Sequence, residues 1–407
     1  MTTPKLRFKE FDGDWSLSSL SQLSTKIGDG IHATPKYDEN GEIPFINGNN
    51  LIDGNVVINE NTKRINAEEF NKYNQALSDR TLFLSINGTI GNLAFYKNEK
   101  VLLGKSVCFI NLKTDIDKNF IYLLLQSPEL TKTFNSELTG TTIKNLSLAT
   151  VRNSEFYSPT LEEQTKIASF LSAVDEKISQ LSQKHSLLSQ YKQGMMQKLF
   201  SQQIRFKAED GSEFGEWEET TLGSFSSKIG SGSTPRGGAE AYTDKGIIFI
   251  RSQNVNNDQL LLNDIAFIPE QTHKKMAGSK VIANDILLNI TGASIGRSCV
   301  VPSTFSEGNV NQHVCIIRTP KDNPRFVQSF LASKAGQDLI ESHQTGSGRE
   351  GLNFQSIRSF SLMKPCLKEQ TKIANFLSSI DQKIEVVAQQ IEQAKQWKKG
   401  LLQQMFV

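Results

Sequence analysis

Candidate chemistry is sparse in this chain of 407 residues, and each pattern falls short of the spacing its reaction requires. Gly104-Lys105-Ser106 imitates the end of a phosphate-cradling loop, but the earlier glycine of that motif is replaced by Glu99. Asp175-x-Lys177 and Asp381-x-Lys383 carry part of a nuclease motif, in which acidic groups hold a metal beside a phosphate. Both lie in helical stretches where no metal-binding strand pair is available, so they read as solvated helix charges. Neither Asn-Pro-Pro-Tyr nor Asp-Pro-Pro-Tyr occurs, which removes the amino-methyltransferase signature. The histidines His32, His185, His273, His313 and His343 form no metal-spaced set. The sequence therefore points away from catalysis, and the elements that repeat along it become the informative part.

The strongest internal signal is a repeat. Glu163 to Ile178 aligns without gaps on Glu369 to Ile384, with twelve of sixteen positions identical at a spacing of 206 residues. From Ile167 a four-three spacing lands on Leu171, Val174, Ile178, Leu181, His185, Leu188, Lys192, Met195 and Leu199. From Ile373 it lands on Leu377, Ile380, Ile384, Val387, Ile391, Ala394, Lys398, Leu401 and Met405. This is a heptad seam on a helix of about 38 residues in each copy. Each helix either covers its own domain or packs on the other, and two thin stripes in one chain favour an intramolecular coiled coil. His185 on the seam can fix helix register, while Lys192 and Lys398 either snorkel outwards or meet a partner.

The rest of the chain repeats as well. Leu6-Arg7-Phe8-Lys9, Phe11 and Trp15 return as Ile204-Arg205-Phe206-Lys207, Phe214 and Trp217. Strand-like blocks follow in both halves: Ile43 to Ile46 and Ile247 to Ile250, then Leu82 to Gly88 and Ile286 to Gly292, then Val107 to Ile110 and Val314 to Ile317. Thr139-Gly140 and Leu146 answer to Thr345-Gly346 and Leu352. The stretches from Glu60 to Arg80 and from Asp264 to Lys280 hardly match. The expected order is a domain over 1–160, a long helix over 161–202, a second domain over 203–366 and a second helix over 367–407. The expected fold class is α+β: two similar mixed α/β domains joined by two long antiparallel coiled-coil helices, in a pseudo-two-fold internal repeat. At ~1.5 Å per residue each helix is roughly 57 Å long.

Composition sets further bounds. The length favours two domains. No apolar run is long enough to cross a bilayer, and the first fifteen residues lack a signal-peptide core. Cys108, Cys299, Cys315 and Cys366 are scattered, so a reduced, cytoplasmic protein without a structural zinc or a membrane partner is expected. Net charge is +2, so a nucleic-acid binder of this balance must gather its basic residues on one face.

The repeats resemble the DNA-specificity subunit of type I restriction-modification systems. The carriers are the Leu-Arg-Phe to Trp opening of each half, the Thr-Gly to Leu segment, and the run from Pro159 to Leu171 that recurs from Pro365 to Leu377. The resemblance implies two target-recognition domains reading the halves of a bipartite double-stranded DNA site across a fixed spacer. One turn of DNA is about 34 Å, so helices of this length suit half-sites roughly one turn apart. It further implies docking of two methyltransferase subunits, which use S-adenosylmethionine to methylate adenine, and of two ATP- and Mg-dependent restriction subunits in the cutting complex. No cofactor is expected in this chain itself.

Given that resemblance, DNA-contact candidates are polar and basic residues in glycine-flanked loops after strands, where Arg, Asn and Gln can pair with base edges. In the first domain they are Asn47, Asn49, Asn87, Thr89, Lys105, Thr141 and Lys144. In the second they are Arg251, Gln253, Thr291, Ser294, Arg297, Gln312 and Arg349, with Asn254 beside them. Each serves either a turn or phosphate contact or a base contact. Asn50 with Asn254, and Gly88 with Gly292, are shared by both halves and read as structural; Arg251, Arg297 and Arg349 are unshared and read as specificity residues. The competing functions are a coiled-coil scaffold that binds no DNA and a self-contained nuclease or methyltransferase.

Overall fold

A computed structural model describes residues 3–73, 75–256, 258–344 and 351–407. The chain divides into two units, one of residues 1–182 with 389–407 and the other of residues 183–388. The two long helices, Leu161–Phe200 and Leu367–Met405, each begin in one unit and end in the other.

In the first unit a four-stranded antiparallel sheet has the order Ser24–Asp29, Val107–Leu112, Thr81–Ser85, Leu93–Phe95. Val107–Leu112 and Thr81–Ser85 are fully buried, which is why their apolar residues run in succession rather than alternating with polar ones. A smaller sheet sets Ile43–Ile46 between Arg64–Ile65 and Leu102–Leu103, the last pairing parallel. Helices Lys118–Leu124, Pro128–Ser136 and Leu148–Asn153 start on Asp117, Ser127 and Ser147, whose side chains accept from the backbone N–H three residues on.

The second unit repeats this order. Lys228–Ser231, Val314–Arg318, Ile286–Asn289 and Ser298–Val300 form its antiparallel sheet, and Ile247–Ile250 pairs parallel with Gly308–Val310 in the smaller one. The repetition extends to single hydrogen bonds. Ile86 N–H donates to Ser106 C=O as Ile290 does to His313; Leu146 donates to Ile86 as Leu352 does to Ile290; Gly91 donates to Ser85 as Gly296 does to Asn289.

Both expected helices form, with 40 and 39 residues, and every seam position named from the sequence is buried or half-buried. Each unit's core takes in the head of one helix and the tail of the other. Ile167, Leu171 and Val174 join Leu401 and Met405 around Trp15 and Phe120 in the first, while Ile373, Leu377 and Ile380 join Met196 and Leu199 around Trp217 and Phe326 in the second.

The antiparallel sense is fixed inside each unit. In the first, Arg7 meets Glu163 while Leu6 N–H bonds Gln404 C=O, and deeper in, Asp175 pairs with Lys398 at 2.7 Å. In the second, Arg205 meets Glu369 while Ile204 N–H bonds Lys198 C=O, and Asp381 pairs with Lys192 at 2.7 Å. The seam lysines thus meet partners rather than snorkelling, and Asp175 and Asp381 are their counter-ions. The reading of these aspartates as solvated charges is corrected: a lysine in an otherwise apolar seam needs a carboxylate across it.

The repeated Glu-Gln pair has a structural task. Glu163 takes two hydrogen bonds at 2.7 Å from Arg7 and one at 3.4 Å from Trp15. Glu369 takes the same from Arg205, at 3.1 and 2.9 Å, and from Trp217 at 3.1 Å. The neighbouring Gln164 donates to Pro159 C=O and accepts from Asp117 N–H, as Gln370 does with Pro365 and Asn323. One dipeptide therefore fastens the domain's opening segment, the helix head and a short helix N-terminus together.

Candidate nucleic-acid interface

In the first unit the candidate residues fall in one cluster of loops at an end of the main sheet. Gly48 N–H donates to Ser106 Oγ, which donates to Asn47 Oδ1 at 3.0 Å, so the 47–50 loop abuts the 104–106 turn. Ile86 N–H to Ser106 C=O draws in the 86–91 turn. Gly88 N–H to Lys144 C=O, with Asn87 Nδ2 to Asn145 Oδ1 at 3.3 Å, adds the 139–145 loop. Gly88 holds φ +75°, the left-handed turn conformation that glycine adopts without strain, and its counterpart Gly292 holds +72°. Asn49, Thr89, Lys105, Thr141 and Lys144 are exposed on this cluster, whereas Asn47 and Asn87 are partly buried and spend side-chain oxygens or nitrogens on neighbouring loops. Lys105 and Lys144 pair with no carboxylate among the described residues.

The second unit builds the same cluster from different side chains. Asn289 Nδ2 donates to Ser252 C=O, fixing the 251–254 loop beside the 291–296 turn. Thr291 Oγ1 and His313 Nδ1 share a 2.6 Å hydrogen bond, and Thr291 bridges Gly351. Gln312 Oε1 accepts from Thr234 Oγ1 at 2.5 Å, which adds the 232–236 loop. Arg251 faces Asp264 at 3.7 Å and Gln253 Nε2 donates to the same carboxylate at 2.7 Å. Arg297 is exposed, and its side chain's one hydrogen bond among the described residues is a 3.5 Å contact to Asn256 Oδ1. Ser294 is half-buried and closes the turn by accepting Arg297 N–H on its carbonyl. Arg349, and with it Thr345-Gly346, lies outside the described residues.

Asn50 and Asn254 are structural, as their sharing suggested. Each accepts a backbone N–H from the residue three positions earlier and donates back to a loop carbonyl. Sequence reasoning passed over Ser106, Thr234 and His313, which hold the same clusters together. The signal was present in part: His313 directly follows Gln312 and precedes the strand that matches Val107–Leu112.

Chemically, both clusters offer main-chain amides, small hydroxyls, amides and cations on loops anchored to a buried sheet. Such a surface suits a groove of nucleic acid: cations meet phosphates, and an Arg or Asn fork meets a base edge. Among the described residues no group of three or more His, Cys, Asp or Glu is placed to hold a metal ion, and no helix is long and apolar enough to cross a membrane. The profile of the family described as "Type I restriction modification DNA specificity domain" matches residues 12–189 and again 215–396. The chain belongs to this family.

Similarity to individual specificity subunits extends over most of the chain. The type I restriction enzyme MjaVIII specificity subunit of Methanocaldococcus jannaschii is 23% identical over 97% of this chain and 94% of its own length. The EcoBI specificity subunit of Escherichia coli is 26% identical over 74% of this chain and 67% of its own. The crystal structure of a type I S subunit from M. genitalium superimposes with a TM-score of 0.58 at 18% identity, covering 100% of this chain and 99% of that one. The fold is thus that of a specificity subunit, two mixed α/β recognition domains in tandem with two long antiparallel helices, and its function is DNA sequence specificity in a type I restriction-modification system.

Proposed function

We propose that this chain reads a bipartite double-stranded DNA site, one half-site with each loop cluster, using domains spanning 1–160 and 203–366. The helical segments 161–202 and 367–407 set the spacer between the half-sites and dock two methyltransferase subunits. Two restriction subunits complete the cutting complex. S-adenosylmethionine, ATP and Mg belong to those partners, and this chain supplies recognition without catalysis, in the cytoplasm. The exposed candidates Asn49, Thr89, Lys105, Thr141, Lys144, Gln253, Arg297 and Gln312 contact DNA, and Asn47, Asn87, Arg251, Thr291 and Ser294 shape the loops that carry them.

The observation that carries this reading is the contrast inside the repeat. Backbone hydrogen bonds of the two loop clusters coincide, while the side chains displayed on them differ. One frame carrying two different displays is what recognition of two different half-sites demands. Mapping methylated adenines in the source genome tests it: the expected result is one bipartite motif with a modified adenine in each half. A continuous palindrome overturns it. A complex of this chain with its methyltransferase subunit that shows no salt-dependent binding to duplex DNA supports a scaffold instead.

A further inference from the structure

The two halves differ at one position where their frames coincide. In the first unit, Leu51–Ile52 and Asn55–Val56 form a hairpin whose tip includes Gly54 at φ +77°. A side chain there would meet the Tyr122 hydroxyl at 3.1 Å. In the second unit the matching hairpin pairs Val255–Asn256 with Gln259–Leu260, and Asp258 occupies the place of Gly54. Gly54 and Asp258 form the same type of parallel bridge to the following sheet, to Ala94 and Cys299 respectively. Asp258 keeps the left-handed conformation, at φ +69°, which disfavours any residue with a Cβ. Aspartate tolerates that conformation better than most residues, as Asp53 at φ +47° does in the first hairpin, so it is the contacts of the Asp258 side chain that show its use.

That side chain reaches the first long helix. Asp258 Oδ2 accepts from Lys192 Nζ at 2.6 Å, and Oδ1 accepts from Gln328, which is itself buried and bonded to Ser298. The Lys192 side chain is 13% exposed and lies between Asp258 and Asp381. In the first unit, Lys398 has Asp175 and Gln126 as partners and receives no carboxylate from the hairpin. The hairpin in the second unit is continuous with the 251–254 loop that carries Arg251 and Gln253, and Asn256 at its base receives the Arg297 guanidinium. The hairpin of the second half therefore bonds Arg297 at Asn256 and Lys192 at Asp258, and among the described residues the first hairpin makes no such pair of contacts.

We propose that Asp258 is a positioning residue for sequence recognition: through Lys192 it pins the 251–256 loop to the first long helix, so that the second half-site is read in one fixed register. The first half-site is read by a loop without such a tie. The inference rests on the proposed bipartite reading, with the second cluster contacting one half-site. It predicts an asymmetry. Releasing the tie relaxes discrimination at the second half-site and tolerance of spacer length, and leaves discrimination at the first half-site as it was.

The experiment uses the chain purified with its methyltransferase subunit and duplexes bearing the genomically mapped site. Competing duplexes carry one mismatch in either half-site, or a spacer one base pair longer. The variants are Asp258→Gly, which restores the residue found in the first half, Asp258→Asn, which keeps the shape without the charge, and Lys192→Met. Expected is a loss of about tenfold in discrimination against second-half mismatches and the lengthened spacer, with affinity for the intact site changed less than threefold. Asp258→Gly combined with Lys192→Met should add nothing to either alone, since both cut one link. Equal loss at both half-sites, or unchanged discrimination in a variant that is merely less heat-stable, overturns the proposal. Asp258→Asn, isosteric and tolerant of the turn, keeps the test readable should the glycine variant fold poorly. Failure of the unmodified complex to prefer the mapped site overturns the bipartite reading together with this inference; second-half discrimination undiminished in all variants overturns this inference alone.

Discussion

Removing the Glu369 carboxylate should uncouple the opening segment of the second domain from the head of its helix. Glu369 has 0% exposure and receives three hydrogen bonds, two from Arg205 and one from Trp217. Hydrogen bonds to charged groups contribute ~1.5–3 kcal/mol each, so a simple sum over three would reach ~4.5–9 kcal/mol. That sum is too large. The Arg205 side chain is 18% exposed and keeps bonds to the Phe214 and Gly215 carbonyls, so part of its charge is recovered by water and backbone. Deleting one member of a buried pair costs ~3–5 kcal/mol, and the partial exposure of Arg205 places Glu369→Ala near the lower end, about 3 kcal/mol. Glu369→Gln keeps the shape and one acceptor and should lose roughly half as much. Because the chain has two units, a single unfolding midpoint would blur the effect. Hydrogen exchange read by mass spectrometry on segments 204–217 and 367–377 separates it, and ~3 kcal/mol corresponds to more than a hundredfold loss of protection. Glu163→Ala should do the same to segments 6–15 and 161–171, slightly less, because its bond from Trp15 is longer at 3.4 Å. A loss under ~0.5 kcal/mol for Glu369→Ala, or an equal loss in both units, would refute the reasoning.

Arg297→Ala should change base preference in the second half-site, costing ~1–3 kcal/mol for the preferred base, whereas Lys105→Ala should weaken all duplexes alike and lower the salt slope by about one; identical profiles for the two variants in a binding-site selection would contradict this. Burial raises the thiols of Cys299 and Cys315, each to about 12, and raises Cys108 further still, whereas Cys366 is exposed. Alkylation of the native protein near pH 8 should therefore label Cys366 alone, as intact mass will tell. Burial pulls the Lys192 ammonium down, but Asp258 and Asp381 together outweigh it and hold its pKa above the ordinary lysine range. A basic group raised on folding stabilises fully below its unfolded value and loses that contribution as pH rises through the folded one. The stability difference between the native chain and Lys192→Met should thus stay flat from about pH 7 to 9 and shrink only above about 10.5, measured by urea unfolding.

Much of the frame was legible because it is written in local periodicity. The heptad positions from Ile167 and Ile373 are buried or half-buried where the spacing put them, since a long helix with one narrow apolar stripe has few alternatives. Glu163 and Glu369 were harder. Each stands four residues before the first seam position and so continues the buried face, yet a glutamate there reads as a polar helix start until Arg7 or Arg205 is brought beside it. The partners are more than 150 residues apart in sequence, and no local pattern pairs them. The same limit applies at the interface. Asn47 and Thr291 have the chemistry of base readers, but each is bonded to a neighbouring loop, to Ser106 and His313 respectively. Only the folded arrangement separates residues that display from residues that brace. The alignment of Asn50 with Asn254 also places Asp258 on Gly54, so that substitution could be read from the repeat; the lysine it serves could not.

A shared part of what ties each loop cluster together is main-chain: Ile86 to Ser106, Leu146 to Ile86 and Gly91 to Ser85, with the matching three in the second half. Every residue type except proline supplies those groups. Exposed side chains on such loops can therefore mutate with little loss of stability, and the threshold that removes most protein variants seldom applies to them. The halves show the outcome of that freedom, having drifted apart in display while remaining interchangeable in scaffold. Mutational robustness in the backbone becomes evolvability at the surface: a lineage can try new loop sequences without first having to rebuild the fold that carries them.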